Sequence, residues 1–347
     1  MKNNILSITW LHAVACLLIV LCNAEGFARE LTVDKFSGLS GYGTALGQLG
    51  VFLFFMTSGY LTASLHWRDF GEGRVTNFIK GRLIKLLPVY YLFTLITIIF
   101  WIMKPDWFPT LSLTPGDNLL SLIFIPTVFS QELNSLTPVL SVGWIFCYEI
   151  LFYLIFSIGL LFARRSGLTW IFLSMLVLAA ASQTLHYDNA WFRFYTNPII
   201  LYFLSGVFCF ALQPRLSIPW YHNRYTLFTV SLFIILATAY LQGIAQLLML
   251  TIGFFLLTFF SFNTRKASHT GRTLTAIGLA SYSIYACHVL LMGSLKKVLK
   301  FFTPVDSGNV TLFMSVAVLT LCSVGLGYLI YRLVERRASF ILWTKVR

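Results

Sequence analysis

The chain has 347 residues, 58% of them hydrophobic and 11% charged, with a mean hydropathy of +0.79 and a net charge of +13. Soluble globular proteins carry roughly 25% charged residues, so this composition excludes an ordinary soluble fold. Because no soluble basic segment accompanies the apolar blocks, the positive charge indicates membrane topology and not nucleic-acid binding.

Ten apolar blocks follow one another along the chain, and each is about the length of helix that crosses a bilayer. Backbone groups in lipid must be hydrogen-bonded within their own segment, so each block is predicted to be an α-helix. The first block, which follows Lys2, is expected to be an uncleaved helix and not a signal peptide. The predicted spans are 5–24, 44–65, 83–103, 141–162, 168–185, 196–213, 225–241, 244–261, 274–294 and 311–332.

The fold class predicted by this pattern is all-α: a polytopic membrane helix bundle of about ten transmembrane helices in the inner or plasma membrane. The whole chain, 1–347, is expected to form a single domain. Residues 119–129 are apolar but too short to cross, and Pro115-Gly116 and Pro126 bound them. They are predicted to be an interfacial or re-entrant segment.

The orientation follows from the positions of Lys and Arg. With the N-terminus inside, 18 of the 25 basic residues lie in cytoplasmic segments and 7 lie outside. The positive-inside rule therefore favours both ends in the cytoplasm.

No metal site is predicted. The six cysteines all fall inside apolar blocks, and their spacing matches neither a zinc motif nor a secreted disulfide framework. They are interpreted as small core residues.

Three ionisable residues lie deep in predicted spans: His12, Glu149 and His288. Charge in hydrocarbon is costly, so such residues are functional candidates. At 1.5 Å per residue, Glu149 lies about 12 Å and His288 about 9 Å below the outer boundary, so the two share the outer half of the membrane. The structural alternative is that each only forms hydrogen bonds or an ion pair between helices, or that the carboxyl group is protonated.

A basic turn opens the third span. Arg82 and Lys85 are three residues apart, so they share a helix face at the inner side of the membrane. Arginine binds phosphate through a planar fork and lysine as a point charge, which suits a phosphorylated cytosolic ligand. The alternative is an anchor for anionic lipid.

Five segments in order resemble the integral-membrane acyltransferase 3 family, which includes O-acetylases of bacterial surface polysaccharides. They are the opening helix, a phenylalanine-rich helix ending in Ser-Gly, the basic entry to the third helix, a Trp-x4-Glu-x2-Phe-Tyr segment and a Ser-Tyr-Ser-Ile-Tyr-x2-His segment. A glutamate near the end, Glu335, also matches. In this chain the five segments are residues 8–24, 50–61, 78–91, 142–153 and 279–288.

The resemblance implies an enzyme that transfers an acyl group, often acetyl, from acyl-CoA to a hydroxyl group of a glycan or another cell-envelope acceptor. Acyl-CoA would be a co-substrate, not a bound cofactor, and Arg82 and Lys85 would contact its phosphates. Trp144 and Tyr153, in the fourth segment, are expected to position the substrate, together with Ser58, Tyr282 and Tyr285. The implied partners are membrane lipid, the acyl donor and the acceptor, and no nucleic acid is expected.

The first helix departs from the family. The family usually has an Arg and, eleven residues later, a His that is the presumed general base; here those positions are His12 and Asn23. Asparagine cannot take a proton near neutral pH. Glu149 or His288 is favoured as the replacement base, with Glu25 and His12 as further possibilities.

Acyl transfer also needs hydrogen-bond donors for the developing oxyanion. Asn23, Ser58, Tyr282 and Tyr285 are the candidates. The alternative function is a catalytically impaired relative that transports or flips an envelope glycan or lipid, and a structural subunit of a polymer-assembly machine is a third possibility.

Overall fold

The computed structural model describes residues 2–31, 37–105, 113–130, 135–184, 189–213, 224–238, 241–259, 269–302 and 309–338. Residues 185, 239–240 and 260–261, which lie at or near the ends of three predicted spans, are outside the described residues. So do six of the basic residues that were counted for orientation: Lys35, Arg215, Arg265, Lys266, Lys345 and Arg347.

The described ranges contain α-helices, one short β-hairpin and a π-helical turn, Tyr331–Glu335. The hairpin pairs β1 (Val128–Ser130) with β2 (Ser135–Thr137) in antiparallel register, with Phe129 opposite Leu136. The helices are α1 (Lys2–Arg29), α2 (Ser37–His66), α3 (Val75–Met103), α4 (Pro115–Leu122), α5 (Trp144–Leu160), α6 (Arg164–Thr184), α7 (Ala190–Tyr195), α8 (Leu201–Leu212), α9 (Arg224–Ala237), α10 (Gly243–Phe259), α11 (His269–Leu279), α12 (Ser281–Leu299) and α13 (Asn309–Ile330).

Seven helical segments among the described residues are long and apolar enough to cross a membrane, or up to eight if α11 and α12 count as one bent span. Two shorter apolar helices, Phe228–Ala237 and Gly243–Thr258, lie at the seventh and eighth predicted spans. Every predicted block therefore contains a helix, which confirms an all-α polytopic membrane protein. The count of ten crossings and the orientation stay predictions.

The ninth predicted span is not one straight helix. Gly271–Leu279 and Ser281–Leu299 meet at an angle of 73°. Ala280, with φ −89° and ψ 1°, leaves helical geometry at the break. Gly278 of α11 lies so close to the backbone of Thr9 in α1 that a Cβ atom would overlap the Thr9 carbonyl. Close packing of α11 on α1 accompanies the bend, and a hydropathy pattern carries no signal for such packing.

The short apolar segment at 119–129 does not form a membrane span. α4 begins with a capping box in which Thr114 and Asp117 each accept a hydrogen bond from the other's backbone N–H. Pro115 occupies the first helical turn. α4 ends after eight residues, and the chain continues into the hairpin, which the all-α prediction did not include.

The chain divides into two compact units. The first comprises Met1–Leu65, Tyr202–Ile284 and Leu291–Tyr328, and the second comprises His66–Leu201, Tyr285–Leu290 and Leu329–Arg347. The prediction of one domain over 1–347 stays a prediction.

In the first unit, α1 packs against α10 and α11, and α9 packs against α10. α2 and α8 approach each other through two glycines. A Cβ atom at Gly59 would overlap the carbonyl oxygen of Phe203, and one at Gly206 would overlap that of Met56. Small residues at such contacts allow close helix packing in lipid, where apolar burial does not drive association.

In the second unit, α3 packs against α5 and against the π-helical turn, and α5 packs against α6. Tyr90 of α3 donates a hydrogen bond to the carbonyl of Ser121, 2.7 Å away, and stacks on Phe124. Tyr148 of α5 donates to the carbonyl of Phe194, 2.6 Å away. The first bond ties α3 to α4 and the second ties α5 to α7. The ring of Tyr90 also meets that of Phe146 of α5 edge to face, with 5.8 Å between centres, and α3 and α5 carry most of the candidate site.

Candidate active site

Arg82 of α3 lies between two aromatic rings in the second unit. Its guanidinium carbon is 5.5 Å from the ring centre of Phe78, one turn earlier on α3, and 5.2 Å from that of Tyr153 on α5. Phe78 and Tyr153 are both buried. A planar guanidinium is well suited to such a position, because it stacks on aromatic faces while its edge stays available for hydrogen bonds.

Part of the Arg82 guanidinium edge finds no hydrogen-bond acceptor among the described residues. Its Nε and Nη2 atoms are buried and donate no hydrogen bond within the part of the chain that the structure describes. Leaving buried charged donors unmet is costly, so such groups require an explanation. An oxygen of an anionic ligand would satisfy them.

Lys85 lies one turn after Arg82 and is partly buried. It interacts electrostatically with Glu335 most strongly, with Arg82 and with Glu149. We call Lys85 and the three residues that surround it, Arg82, Glu149 and Glu335, the charge cluster. Basic side chains removed from water are stabilised by nearby acidic groups, and Lys85 has two such groups near it.

Glu335 was not among the predicted site residues. It is 2% exposed and sits at the end of the π-helical turn, which packs against α3. Its sequence surroundings, with Arg332, Arg336 and Arg337 nearby, are typical of a solvated charged terminus. Only the match to the family's glutamate pointed to it.

Glu149 and His288 are both fully buried in the second unit. The Nδ1 atom of His288 lies 2.6 Å from the backbone carbonyl oxygen of Tyr285. A carbonyl only accepts, so Nδ1 carries the hydrogen. In the neutral imidazole the lone pair is then on Nε2, which makes Nε2 the atom that can take a proton.

Tyr285 ties the His288 segment to the start of α5. Its hydroxyl donates to the carbonyl oxygen of Val142, 2.9 Å away, and its ring meets that of Phe146 edge to face with 5.5 Å between centres. Phe146 lies one turn before Glu149 on α5. The single hydroxyl proton of Tyr285 is donated to Val142, which fixes the position of Tyr285. Because the carbonyl oxygen of Tyr285 accepts the hydrogen bond from His288, Tyr285 is suited to positioning His288.

Trp144 and Tyr153 complete the predicted set on α5. Trp144 is partly buried at the first residue of the helix, with its ring 6.0 Å from that of Tyr148. Tyr153 lies against Arg82. The structure therefore places seven predicted residues in the second unit: Arg82, Lys85, Trp144, Glu149, Tyr153, Tyr285 and His288.

The other four predicted residues belong to the first unit. His12 is buried, with Nδ1 2.7 Å from the hydroxyl oxygen of Thr57. That hydroxyl lies 2.7 Å and 2.9 Å from two carbonyl oxygens of its own helix, so its proton goes to the backbone and His12 Nδ1 is the donor. The ring of Tyr282 is 6.4 Å from that of His12, and Ser58, next to Thr57, is also buried.

Asn23 lies eleven residues beyond His12 on α1, about 16 Å along the helix. It is partly buried, and its Nδ2 donates to the carbonyl oxygen of Ile19, 2.9 Å away. None of the described contacts of Asn23 is with His12 or Tyr282.

Within the described residues, no group of three or more His, Cys, Asp and Glu side chains is arranged to hold a metal ion.

Comparisons with known proteins indicate the family of the chain. The acyltransferase domain family matches residues 5–332. The exopolysaccharide production protein ExoZ of Rhizobium meliloti (strain 1021) is 32% identical over 170 residues, 48% of this chain. The match spans about half of that relative, 51% of its length. No solved structure matches the chain significantly.

Proposed function

The chain belongs to the acyltransferase 3 family of membrane proteins, and from that premise we propose that it transfers an acyl group from acyl-CoA to a hydroxyl group of a cell-envelope glycan. We take the acyl group to be acetyl. The observation that carries the proposal is Arg82, held between two aromatic rings with buried donors that no described residue satisfies. The diphosphate of coenzyme A has negatively charged oxygens that can accept hydrogen bonds from these donors.

The glycan acceptor is supported by the relative, whose name assigns it to exopolysaccharide production. A glycan hydroxyl needs a base before it can attack a thioester. A dry site within a helix bundle also keeps water from competing for the acyl group.

The reaction is a single group transfer. The acceptor oxygen forms a bond to the thioester carbonyl carbon, and its proton passes to Nε2 of His288. The carbon–sulfur bond then breaks, and the coenzyme A thiolate takes that proton. The products are the O-acyl glycan and free coenzyme A thiol.

His288 is proposed as the base because its neutral form leaves Nε2 able to accept a proton. Glu149 is proposed to balance Lys85, with which it interacts electrostatically, and so to set the charge of the donor site. Asn23 cannot replace the family's usual histidine in proton transfer, and its amide already bonds to its own helix.

The test uses purified protein in lipid nanodiscs, acyl-CoA labelled in the acyl group and an extract of envelope glycans. Wild-type protein should move label to glycan and release an equal amount of thiol. His288→Gln should lower kcat by about 100-fold or more, the usual contribution of a general base, while CoA binding is unchanged. Glu149→Gln should change KM for acyl-CoA more than kcat, because it removes a carboxylate beside Lys85 and so alters the charge that the anionic donor meets.

For His288→Gln the binding measurement is the control, since a misfolded variant would lose CoA affinity as well. If Glu149→Gln lowers kcat alone and His288→Gln does not, the proton-transfer role passes to Glu149. Glycan or lipid that crosses the membrane without gaining label would support the transporter or flippase instead and contradict the enzyme.

A further inference from the structure

A groove in the second unit lies outside the residues assigned so far. It has a volume of about 720 Å³ and is formed by the loop after α2 and the turn between α5 and α6. Its lining includes Trp67, Arg68 and Glu72 from the loop and Leu161 and Arg164 from the turn. We call it the loop groove. Under the predicted orientation it opens to the cytosol.

The walls of the loop groove combine a flat aromatic surface with positive charge. The guanidinium carbon of Arg164 lies 5.2 Å from the ring centre of Trp67. Arg68 and Arg164 outnumber the one acid, Glu72, and all three are exposed. Stacked aromatic and guanidinium planes accept nucleobases, and arginine edges bind phosphate, so the combination fits a phosphorylated nucleotide.

The loop wall is fixed to α5. The backbone N–H of Gly71 donates to the carbonyl oxygen of Leu160, 3.0 Å away. Gly71 has φ +75°, a conformation that side-chain-bearing residues rarely adopt. The loop is therefore held in one place at the end of α5, and a ligand would not have to order it.

A chain of packed aromatic rings connects the wall of the loop groove to the residues around Arg82. Phe70 lines the groove, and its ring centre lies 5.6 Å from that of Phe156 of α5. The ring centre of Phe156 in turn lies 5.3 Å from that of Phe78, the ring on which Arg82 stacks. Along α5 the order is Glu149, then Tyr153 against Arg82, then Phe156, then the groove at Leu161. Twelve residues separate Glu149 from Leu161, about 18 Å of helix.

From this order we propose that the loop groove binds the 3′-phosphoadenosine end of coenzyme A. The adenine ring would stack at Trp67 and Arg164, and the 3′-phosphate would contact Arg68. The diphosphate would reach Arg82, and the extended pantetheine arm would carry the thioester towards Glu149. This inference rests on the proposed function, because it takes acyl-CoA as the donor.

The experiment compares two donors that differ only in the nucleotide: acyl-CoA and S-acyl pantetheine. The variants are Trp67→Ala and the double variant Arg68→Ala/Arg164→Ala. Arg165→Ala is the matched control, because Arg165 is exposed and adjacent but does not line the groove. KM for acyl-CoA should rise about ten-fold or more in the groove variants, the effect of losing charged hydrogen bonds, with kcat unchanged.

KM for S-acyl pantetheine should be the same in wild type, groove variants and control. Equal shifts for both donors, or no shift for acyl-CoA, would overturn the assignment. If Arg165→Ala raises KM for acyl-CoA as much as the double variant does, the effect comes from the positive charge of the surface in general and not from the loop groove.

Binding of labelled CoA to nanodisc-embedded protein tests the groove without catalysis. The double variant should bind CoA about ten-fold more weakly than the control variant. If wild type transfers no acyl group from either donor but this difference is found, the proposed function fails and the nucleotide site stands. Unchanged CoA binding in the variants would remove the nucleotide site whatever the activity, and would leave anionic lipid headgroups as the occupant.

Discussion

At the scale of single residues, the two members of the basic turn are not equivalent. Lys85 has carboxylates to balance it, chiefly Glu335. Arg82 is packed between rings, and two of its donors are unused among the described residues. We therefore expect Arg82 to meet the donor's phosphates directly and Lys85 to hold the cluster together.

Arg82→Lys tests this division. A lysine keeps the charge but loses the planar stack and the fork, so KM for acyl-CoA should rise about ten-fold with little change in kcat. Steady-state kinetics in nanodiscs measure both constants. Arg165→Lys, the same change at an exposed arginine, should leave KM for acyl-CoA as in wild type. If Arg82→Lys also keeps the wild-type KM, positive charge alone is enough for donor binding at this position.

At the scale of elements, the contact of α2 with α8 depends on the absence of side chains. Gly206 lies against the carbonyl oxygen of Met56, so that even one methyl group would overlap it. Gly325 of α13 is also helical, but beyond the neighbouring backbone of its own helix a methyl group added there would meet no atom of the described residues within 4 Å. The two glycines therefore offer a matched pair for measuring the close approach.

Gly325→Ala should be neutral or stabilise the protein by about 0.5 to 1 kcal/mol, because alanine restricts the unfolded chain. Gly206→Ala should destabilise it by about 1 to 3 kcal/mol, the usual cost of overpacking. Thermal unfolding in detergent gives the two midpoints. Equal midpoints would mean that α2 and α8 do not approach as closely as the structure places them.

At the scale of the whole molecule, orientation decides whether the donor site can work. The proposed donor, acyl-CoA, is made in the cytosol, so both proposals require the turn between α5 and α6 to face that side. The positive-inside count predicts this arrangement.

Single cysteines in a background without the six native ones test the orientation. Arg165 and Lys104 are exposed and are predicted to lie on opposite sides. A membrane-impermeant maleimide should label Lys104→Cys in intact cells and Arg165→Cys only after the membrane is opened. The reverse pattern would place the loop groove outside and contradict both proposals.

The sequence by itself determined the class of the protein, the positions of its helices and its family, because hydropathy, segment length and motif order are local properties that lipid makes decisive. It also identified Glu149, His288 and Arg82 as candidates, since ionisable groups in apolar helices are rare. Only the tertiary structure decided that Glu335 lies near Lys85, that Tyr285 bonds to Val142 at the start of α5, that α11 and α12 meet at 73°, and that a groove opens at the end of α5. The cluster, the Tyr285 bond and the groove join segments far apart in the chain, and the bend accompanies packing of α11 on the distant α1. Helix packing, not local composition, sets those contacts.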